Sequence, residues 1–370
     1  MKETYKIFVI NPGSTSTKLA LFENREKLFE TNVFHDASVL LQYPTVNDQL
    51  EYRHRVIMDF LAENRIDLTG VDAIVGRGGS CVPVESGVYA VNERLIADVR
   101  ADKGGMDHPS NLGVQLAREM QKEFGGELFM VDPCSVDELC DLARPTGIDG
   151  VERHTNMHTL NMRGVAMQHA KHVLHRPYED CNFVVCHIDG GITISAHQKG
   201  RIIDCNDGGG GDGPYTPTRV GSVSVANLLE YCEGRDLREV KKLCTRTGGF
   251  VSYFGTSDSN CVHRMMEEGD KKAELVWKGM IYRVIKCIGS MAAALRGKVD
   301  GILLTGGLLR FADVSEMIGE YCGWIAPITL YPGEVEHEAM AAGALRVLTG
   351  EIEAKEYTGE ARWKGLNSLQ

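Results

Sequence analysis

An α/β protein made of two similar halves is what this sequence predicts, on three observations. The run Ile7-Phe-Val-Ile-Asn11-Pro-Gly13-Ser14-Thr15-Ser16-Thr17-Lys18-Leu-Ala-Leu-Phe22 has a near echo in Phe183-Val-Val-Cys-His187-Ile-Asp189-Gly190-Gly191-Ile-Thr193-Ile-Ser195-Ala. Each copy leads an apolar run into a tight turn rich in Gly with Asn or Asp, and an alternating run follows, which is the pattern of strand, turn and returning strand. Elsewhere short apolar runs alternate with amphipathic segments, and 370 residues suffice for two domains. A turn crowded with glycine and hydroxyl residues leaves backbone N–H groups open to an anion, most commonly phosphate. One such turn in each half suggests a duplicated fold closing on a nucleotide from both sides.

Composition narrows the class. Hydrophobic residues make up 43% and charged residues 25% of the chain, ordinary values for a globular protein. Lys and Arg number 40 against 51 Asp and Glu, a net charge of −11, which argues against nucleic-acid or anionic-membrane binding. No apolar stretch is long enough to span a bilayer. The N-terminus lacks the layout of a signal peptide, and the 11 cysteines form no C-x-x-C pair, so reduced thiols in a cytoplasmic protein are expected.

The elements follow in order. Strands are expected at Tyr5–Ile10, Leu19–Glu23, Lys27–Val33, Ala73–Gly76, Val88–Val91 and Leu128–Val131, and helices at Asp48–Asn64 and Leu112–Phe124. Turn-rich segments end strands at Gly76-Arg77-Gly78-Gly79 and at Gly104-Gly105-Met106-Asp107-His108-Pro109-Ser110-Asn111, with Asn111 a candidate N-cap. A second unit begins near His154 with a helix over Asn156–Leu174, and the second hairpin starts at Cys181. A third strand, Arg201–Asn206, precedes the glycine run from Asp207 to Pro214, which reads as a flexible or ligand-hugging loop. Helices are expected at Leu237–Cys244, Ala273–Leu295 and Ala339–Leu348, the second carrying a stripe of Met280, Ile281, Val284, Ile285, Ile288 and Met291. The strand Gly301–Leu304 runs into Thr305-Gly306-Gly307 before another helix. Domains are thus expected at 1–153 with 340–370 and at 154–339; residues after Gly350 are polar and carry no functional reading.

From about Ile7 to Leu348 these landmarks resemble the acetate and butyrate kinase family, within the actin-like ATPases. The motif Asn-x-Gly-Ser-x-Ser-x-Lys is met by Asn11 through Lys18. Val75-Gly-Arg77-Gly-Gly79, Glu152-Arg153-His-Thr-Asn-Met-His158-Thr-Leu-Asn161 and Glu334-Val-Glu336-His-Glu338-Ala-Met-Ala-Ala-Gly-Ala-Leu-Arg346 look like the butyrate kinase branch, as does the short chain. The resemblance implies two actin-like (ribonuclease H-like) domains, each with a mixed five-stranded sheet, flanking a nucleotide cleft. It also implies ATP/ADP and Mg2+ as cofactors, a short-chain carboxylate such as butyrate or isobutyrate as substrate, and a homodimer or larger homo-oligomer. The implied reaction makes an acyl phosphate and ADP, reversibly. The alternatives are an acetate or propionate kinase, a nucleotide-binding regulator of the same fold, or a sugar kinase with Asp132 as base.

Moving a phosphoryl group onto a carboxylate, already an anion at pH 7, asks for positioning and for cations that offset repulsion. Arginine suits this, with a planar, permanently charged fork. By resemblance Arg219, in Thr218-Arg219-Val220-Gly221, meets the transferring phosphoryl, Arg77 lies near the acyl carboxylate, and His158 hydrogen-bonds the phosphate. His154 and His158 have metal-ligand spacing without the glutamate of a zinc protease. His108 matches another active-site histidine and equally a turn histidine; His169, His172 and His175 read as a solvated helix face. Asp132 matches a carboxylate orienting an arginine or a magnesium-bound water, and Asp before Pro also fits a helix N-cap. Glu338, with Asn11, is taken as the magnesium side, Glu336 and Glu334 being the neighbouring alternatives. Asn11, Ser14 and Ser16, then Lys18, form the first phosphate loop. His187, Asp189, Gly190 and Gly191 form the second, and Thr305, Gly306 and Gly307 face the adenosine.

Overall fold

The computed structural model describes residues 2–105 and 108–369, so Met106 and Asp107 of the turn-rich segment lie outside the described residues. The chain divides into two compact units, Met1–Asp137 with Val335–Gln370, and Glu138–Glu334.

The first unit opens with a meander, β1 (Lys6–Pro12), β2 (Ser16–Glu23) and β3 (Glu26–Phe34). After it come α1 (Ala37–Leu40), α2 (Leu50–Glu63), β4 (Ala73–Arg77), β5 (Val88–Ala90), α3 (Glu93–Arg100), α4 (Gly113–Phe124) and β6 (Glu127–Val131). The second unit has a small ribbon, β7 (Pro145–Ile148) and β8 (Val151–Glu152), then α5 (Thr159–His172), β9 (Asn182–Ile188), β10 (Ile192–Gln198) and β11 (Arg201–Cys205). It continues with α6 (Val225–Cys232), α7 (Leu237–Lys241), α8 (Gly249–Phe254), α9 (Ser259–Glu267), α10 (Lys271–Ala294), β12 (Gly301–Gly306), α11 (Ala312–Cys322) and β13 (Ile328–Pro332). The chain then returns to the first unit with α12 (Glu336–Leu348) and β14 (Lys355–Glu356).

The duplication read from two hairpins extends to whole sheets. In the first unit β3-β2-β1-β4-β6 lie side by side, and in the second β11-β10-β9-β12-β13. Both run antiparallel, antiparallel, parallel, parallel in that order. Such central strands are covered on both faces and need nearly continuous apolar runs. β1 is buried at all but its first residue and β12 throughout. α4 meets β4 closely: a Cβ on Gly76 would stand 2.5 Å from the Gly113 carbonyl oxygen. Arg77 pairs with Val131, one residue along, so Val131 points to the other face, where it packs against Gly343 of α12. In the second unit the stripe expected on α10 is its buried face, with Trp277 added and ringed by Phe250, His263 and Phe311. α6 by contrast buries none of its residues and exposes Val225, Leu228 and Leu229.

Several expectations need correction. The first sheet has seven strands, not five, because β5 and β14 extend it past β6. The unit boundaries fall earlier than 153/154 and 339/340. Residues just after 137 are tied to β11: Ile202 N–H donates to Glu138 Oε2 at 3.0 Å and Cys140 N–H to Ile203 O at 2.9 Å. All of α12, from Glu336 on, belongs with the first sheet, so the chain crosses back before it. Asn111 is no N-cap: its Oδ1 accepts from Ser80 N–H at 2.7 Å, inside a 3-10 turn over Pro109–Leu112. No helix follows Asp132 to be capped; its Oδ1 accepts from Gly87 N–H at 2.7 Å. His169 is not on a solvated face but 3% exposed, its Nδ1 2.8 Å from the Tyr331 hydroxyl.

The tail after Gly350 is a strap. β14 pairs with β5, buried Tyr357 donates its hydroxyl to Asp98 at 2.9 Å and receives Val82 N–H at 3.3 Å, and Arg362 N–H donates to Pro83 O. Tyr357→Phe removes both polar contacts at once and is expected to destabilise the protein by about 1–3 kcal/mol; an unchanged Tm would show that the strap contributes nothing. A pH effect also follows from two histidines. Burial holds His35 down to about 4 and His197 to about 3, the cations of Arg53 and Arg163 adding to it. Both stay neutral when folded, whereas the unfolded chain takes up their protons near pH ~6.5. The unfolded state then binds more protons below that value, so stability is full above it and falls as the pH drops. Thermal melts should show a declining Tm from pH ~6.5 to ~5.5, and a flat profile there would contradict this.

Candidate functional site

In the first unit the site forms where β1 and β4 end and α12 begins. β1 delivers Asn11 and β4 delivers Arg77, neighbours because the two strands pair in parallel. Asn11 Nδ2 donates to Glu336 Oε2 at 2.7 Å, and Arg77 Nη1 donates to Asn11 Oδ1 at 3.0 Å and to Glu336 Oε2 at 2.5 Å. Glu336 is 3% exposed, and its second oxygen, Oε1, is buried with no hydrogen-bond partner among the described residues. A buried carboxylate oxygen without a donor costs free energy unless something binds it. A magnesium ion with its waters fits that demand, since the ion takes oxygen ligands and keeps much of its hydration. Glu338, taken from the sequence as the magnesium glutamate, lies elsewhere, ion-paired to Lys27 at 2.7 Å. Residues two apart on a helix do not share a face, so when Glu336 turns inward Glu338 cannot.

Around this cluster, Asp132 holds the chain at Gly87, and His108 Nδ1 contacts Ser110 Oγ at 2.9 Å as the cap of its turn. Sequence reading passed over Cys134, whose thiol hydrogen-bonds Ser110 and feels the charges of both Arg77 and Glu336, burial pushing its pKa up. In the first loop Ser14 is exposed and Ser16 half-buried, while Lys18 is exposed. Asn11 is the loop residue whose side chain is seen hydrogen-bonded to Glu336.

In the second unit β9 and β10 carry the counterpart. His158, just before α5, has Nδ1 2.5 Å from Thr193 Oγ1, and its ring stacks on that of His187 with centroids 3.9 Å apart. With Nδ1 so engaged, the other edge of the ring faces Gly191. A Cβ there would stand 2.8 Å from His158 Cε1 and 3.2 Å from Arg219 Nη1, so glycine is what lets these two groups meet. Arg219 donates from Nη1 to the Gly208 carbonyl at 2.6 Å, and its buried Nε–H has no acceptor among the described residues. Burial lowers its pKa, against the pull of the Asp207 charge. The result is a desolvated guanidinium with a spare donor, a receptor for an anion.

The remaining expected positions lie around this pair. His187 is 1% exposed and its Nδ1 is 2.9 Å from Asn161 Nδ2. Asp189 accepts Gly190 N–H on Oδ1 at 2.8 Å and Gly307 N–H on Oδ2 at 2.7 Å, clamping the two glycine turns together. Gly190 is open, with nothing near where a Cβ would sit. Gly306, at φ +106°, packs against the backbone of Ile188. Thr305 turns its hydroxyl inward, donating to Gly333 O at 2.8 Å, so its side chain supports the turn. His187, Asp189 and Glu334 bring one ligand atom each within 4.8 Å of one another. Both oxygens of Asp189 already accept backbone N–H groups, and an imidazole is a poor magnesium ligand.

Three comparisons extend the picture. The chain is 43% identical over 356 residues, 96% of its length, to proteins named probable butyrate kinase from Clostridium botulinum strains Alaska E43 / Type E3 and Eklund 17B / Type B, in each case covering all of the relative. Among solved structures, acetate kinase from Porphyromonas gingivalis matches with TM-score 0.74 at 19% identity, over 93% of this chain and 100% of that one. A propionate kinase from Francisella tularensis subsp. tularensis SCHU S4 matches with TM-score 0.72 at 18% identity, over 92% and 98%. These two support the duplicated actin-like α/β fold. Residues 150–318 match the Acetokinase family directly, and with full-length relatives at that identity the chain belongs to the acetokinase family.

Proposed function

We propose that this chain is a carboxylate kinase of the butyrate type, transferring the γ-phosphoryl of ATP reversibly to butyrate or a related short or branched acid to give the acyl phosphate and ADP. The observation that carries it is Arg219, a half-buried guanidinium held by a carbonyl, with a buried, spare Nε–H beside His158. No acidic side chain lies within ion-pair distance of it among the described residues, so its charge is kept for a ligand. The names of the relatives supply the substrate class.

Each residue then has a task. Arg219 offsets charge on the transferring phosphoryl, and His158 donates to one of its oxygens from the ring edge away from Thr193. The hydroxyl contact fixes the ring, so no reorganisation is needed as charge moves, which is the source of most such stabilisation. Arg77 serves the carboxylate end; its fork, anchored by Asn11 and Glu336, orients the acyl group. Glu336 and Asn11 would hold Mg2+ through water, and the ion would supply positive charge to the phosphate oxygens. Asp189 keeps the glycine turns in place so that backbone N–H groups can approach phosphate.

Hydroxamate trapping of acyl phosphate with Mg-ATP across acids of two to six carbons tests the proposal. It should peak at butyrate or isobutyrate, and Arg219→Ala should lower kcat by about 100-fold or more. A peak at acetate would move the chain to the acetate branch. Acyl phosphate formation that survives Arg219→Ala would overturn the mechanism, and silence of the wild type with ATP still bound would favour the regulator reading.

A further inference from the structure

Gln49, just before α2, and Arg53, Ile57 and Leu61 on the buried side of that helix stand at intervals of four, and Arg53 is fully buried in that apolar company. Its guanidinium has five N–H groups, and all five are used. Nη1 donates to Gly13 O at 2.8 Å and Ser16 O at 3.2 Å, Nη2 to Ser14 O at 2.8 Å and Gln49 Oε1 at 2.9 Å, and Nε to Gln49 Oε1 at 3.1 Å. The one loop carbonyl it does not take, that of Thr15, accepts His35 N–H at 2.9 Å. Every carbonyl from Gly13 to Ser16 is therefore turned toward the protein. Ser14 and Thr15, both exposed, are left with N–H groups that have no acceptor among the described residues. None of the acceptors of Arg53 is a carboxylate. Burial lowers its pKa only to about 10, so the cation persists at neutral pH.

A buried arginine normally comes with an acidic partner, because an unpaired charge is costly to desolvate. Here neutral carbonyls take that place, which leaves a net positive charge under a loop whose N–H groups face outward. This is the arrangement that binds an anion through backbone and field together. We propose that Arg53 is a positioning residue of the phosphoryl transfer, holding the Gly13–Ser16 loop with its N–H groups aimed at the phosphate and adding a charge that no carboxylate neutralises. The proposal rests on the kinase reaction argued above.

The experiment compares the wild type, Arg53→Lys and Arg53→Met by thermal melting and by initial rates of acyl phosphate formation with Mg-ATP and butyrate. Both variants should fold. In Arg53→Met kcat should fall about 100-fold and in Arg53→Lys about 10-fold, since lysine keeps the charge without the fork. KM for butyrate should stay within about twofold in each, a split that a general loosening of the unit would not give. Wild-type kcat in either folded variant would overturn the proposal while leaving the kinase reading intact. Failure of both to fold would make Arg53 structural only, and overturn it as well. A wild type that makes no acyl phosphate from any acid would instead bring down the reaction on which it rests.

Discussion

The Glu336 carboxylate is the point on which the first unit turns. It is buried at the start of α12 and bound on one oxygen by Asn11 and Arg77. Those two residues stand at the ends of adjacent parallel strands, so the helix returning from the other end of the sequence is pinned to the first loop and the fourth strand together. Removing one partner of such a pair leaves a buried charge uncompensated, a loss of about 3–5 kcal/mol. The same contact sets the directions of Asn11 and Arg77, and through Arg77 the field felt by Cys134.

Both units follow one construction. Each carries a charged group whose hydrogen-bonding capacity is left incomplete among the described residues: Glu336 Oε1 at the start of α12 in the first, Arg219 Nε in the irregular segment between β11 and α6 in the second. Beside them the folding interactions are complete, as with Asp189 between two turns or Arg53 beneath another. Arg219 shows the cost plainly, since burial alone presses it toward neutrality.

Much of this could be read from the sequence, for physical reasons. The hairpins around Asn11 and Asp189 are short-range features in which apolar alternation and turn chemistry agree, and the stripe on α10 is long enough to leave no ambiguity of period. His158 and Arg219 stand out in the sequence as candidates because their neighbours are small and their motifs carry a resemblance. What the sequence hid were contacts distant along the chain. Glu336 and Glu338 are both acidic and two residues apart, and only the angle at which α12 meets the sheet tells which one turns inward. β14 is two residues long, too short to show alternation, so its addition to the sheet left no trace. His169 shares its helix with His172 and passed as part of a polar face, but its bond to Tyr331 depends on a strand far ahead in sequence. Arg53 did leave a signal, a cation at the same four-residue spacing as Ile57 and Leu61, where an apolar residue belongs.

The claim that matters most is that the spare oxygen of Glu336 is reserved for the magnesium side of the reaction. Titrating Mg2+ into the acyl phosphate assay with wild type and Glu336→Gln addresses it directly. The substitution keeps the shape of the side chain and removes the charge. The magnesium concentration for half-maximal rate should rise by about tenfold or more. An unchanged magnesium dependence, with the variant folded, would contradict the account and leave the carboxylate as no more than an anchor for Asn11 and Arg77.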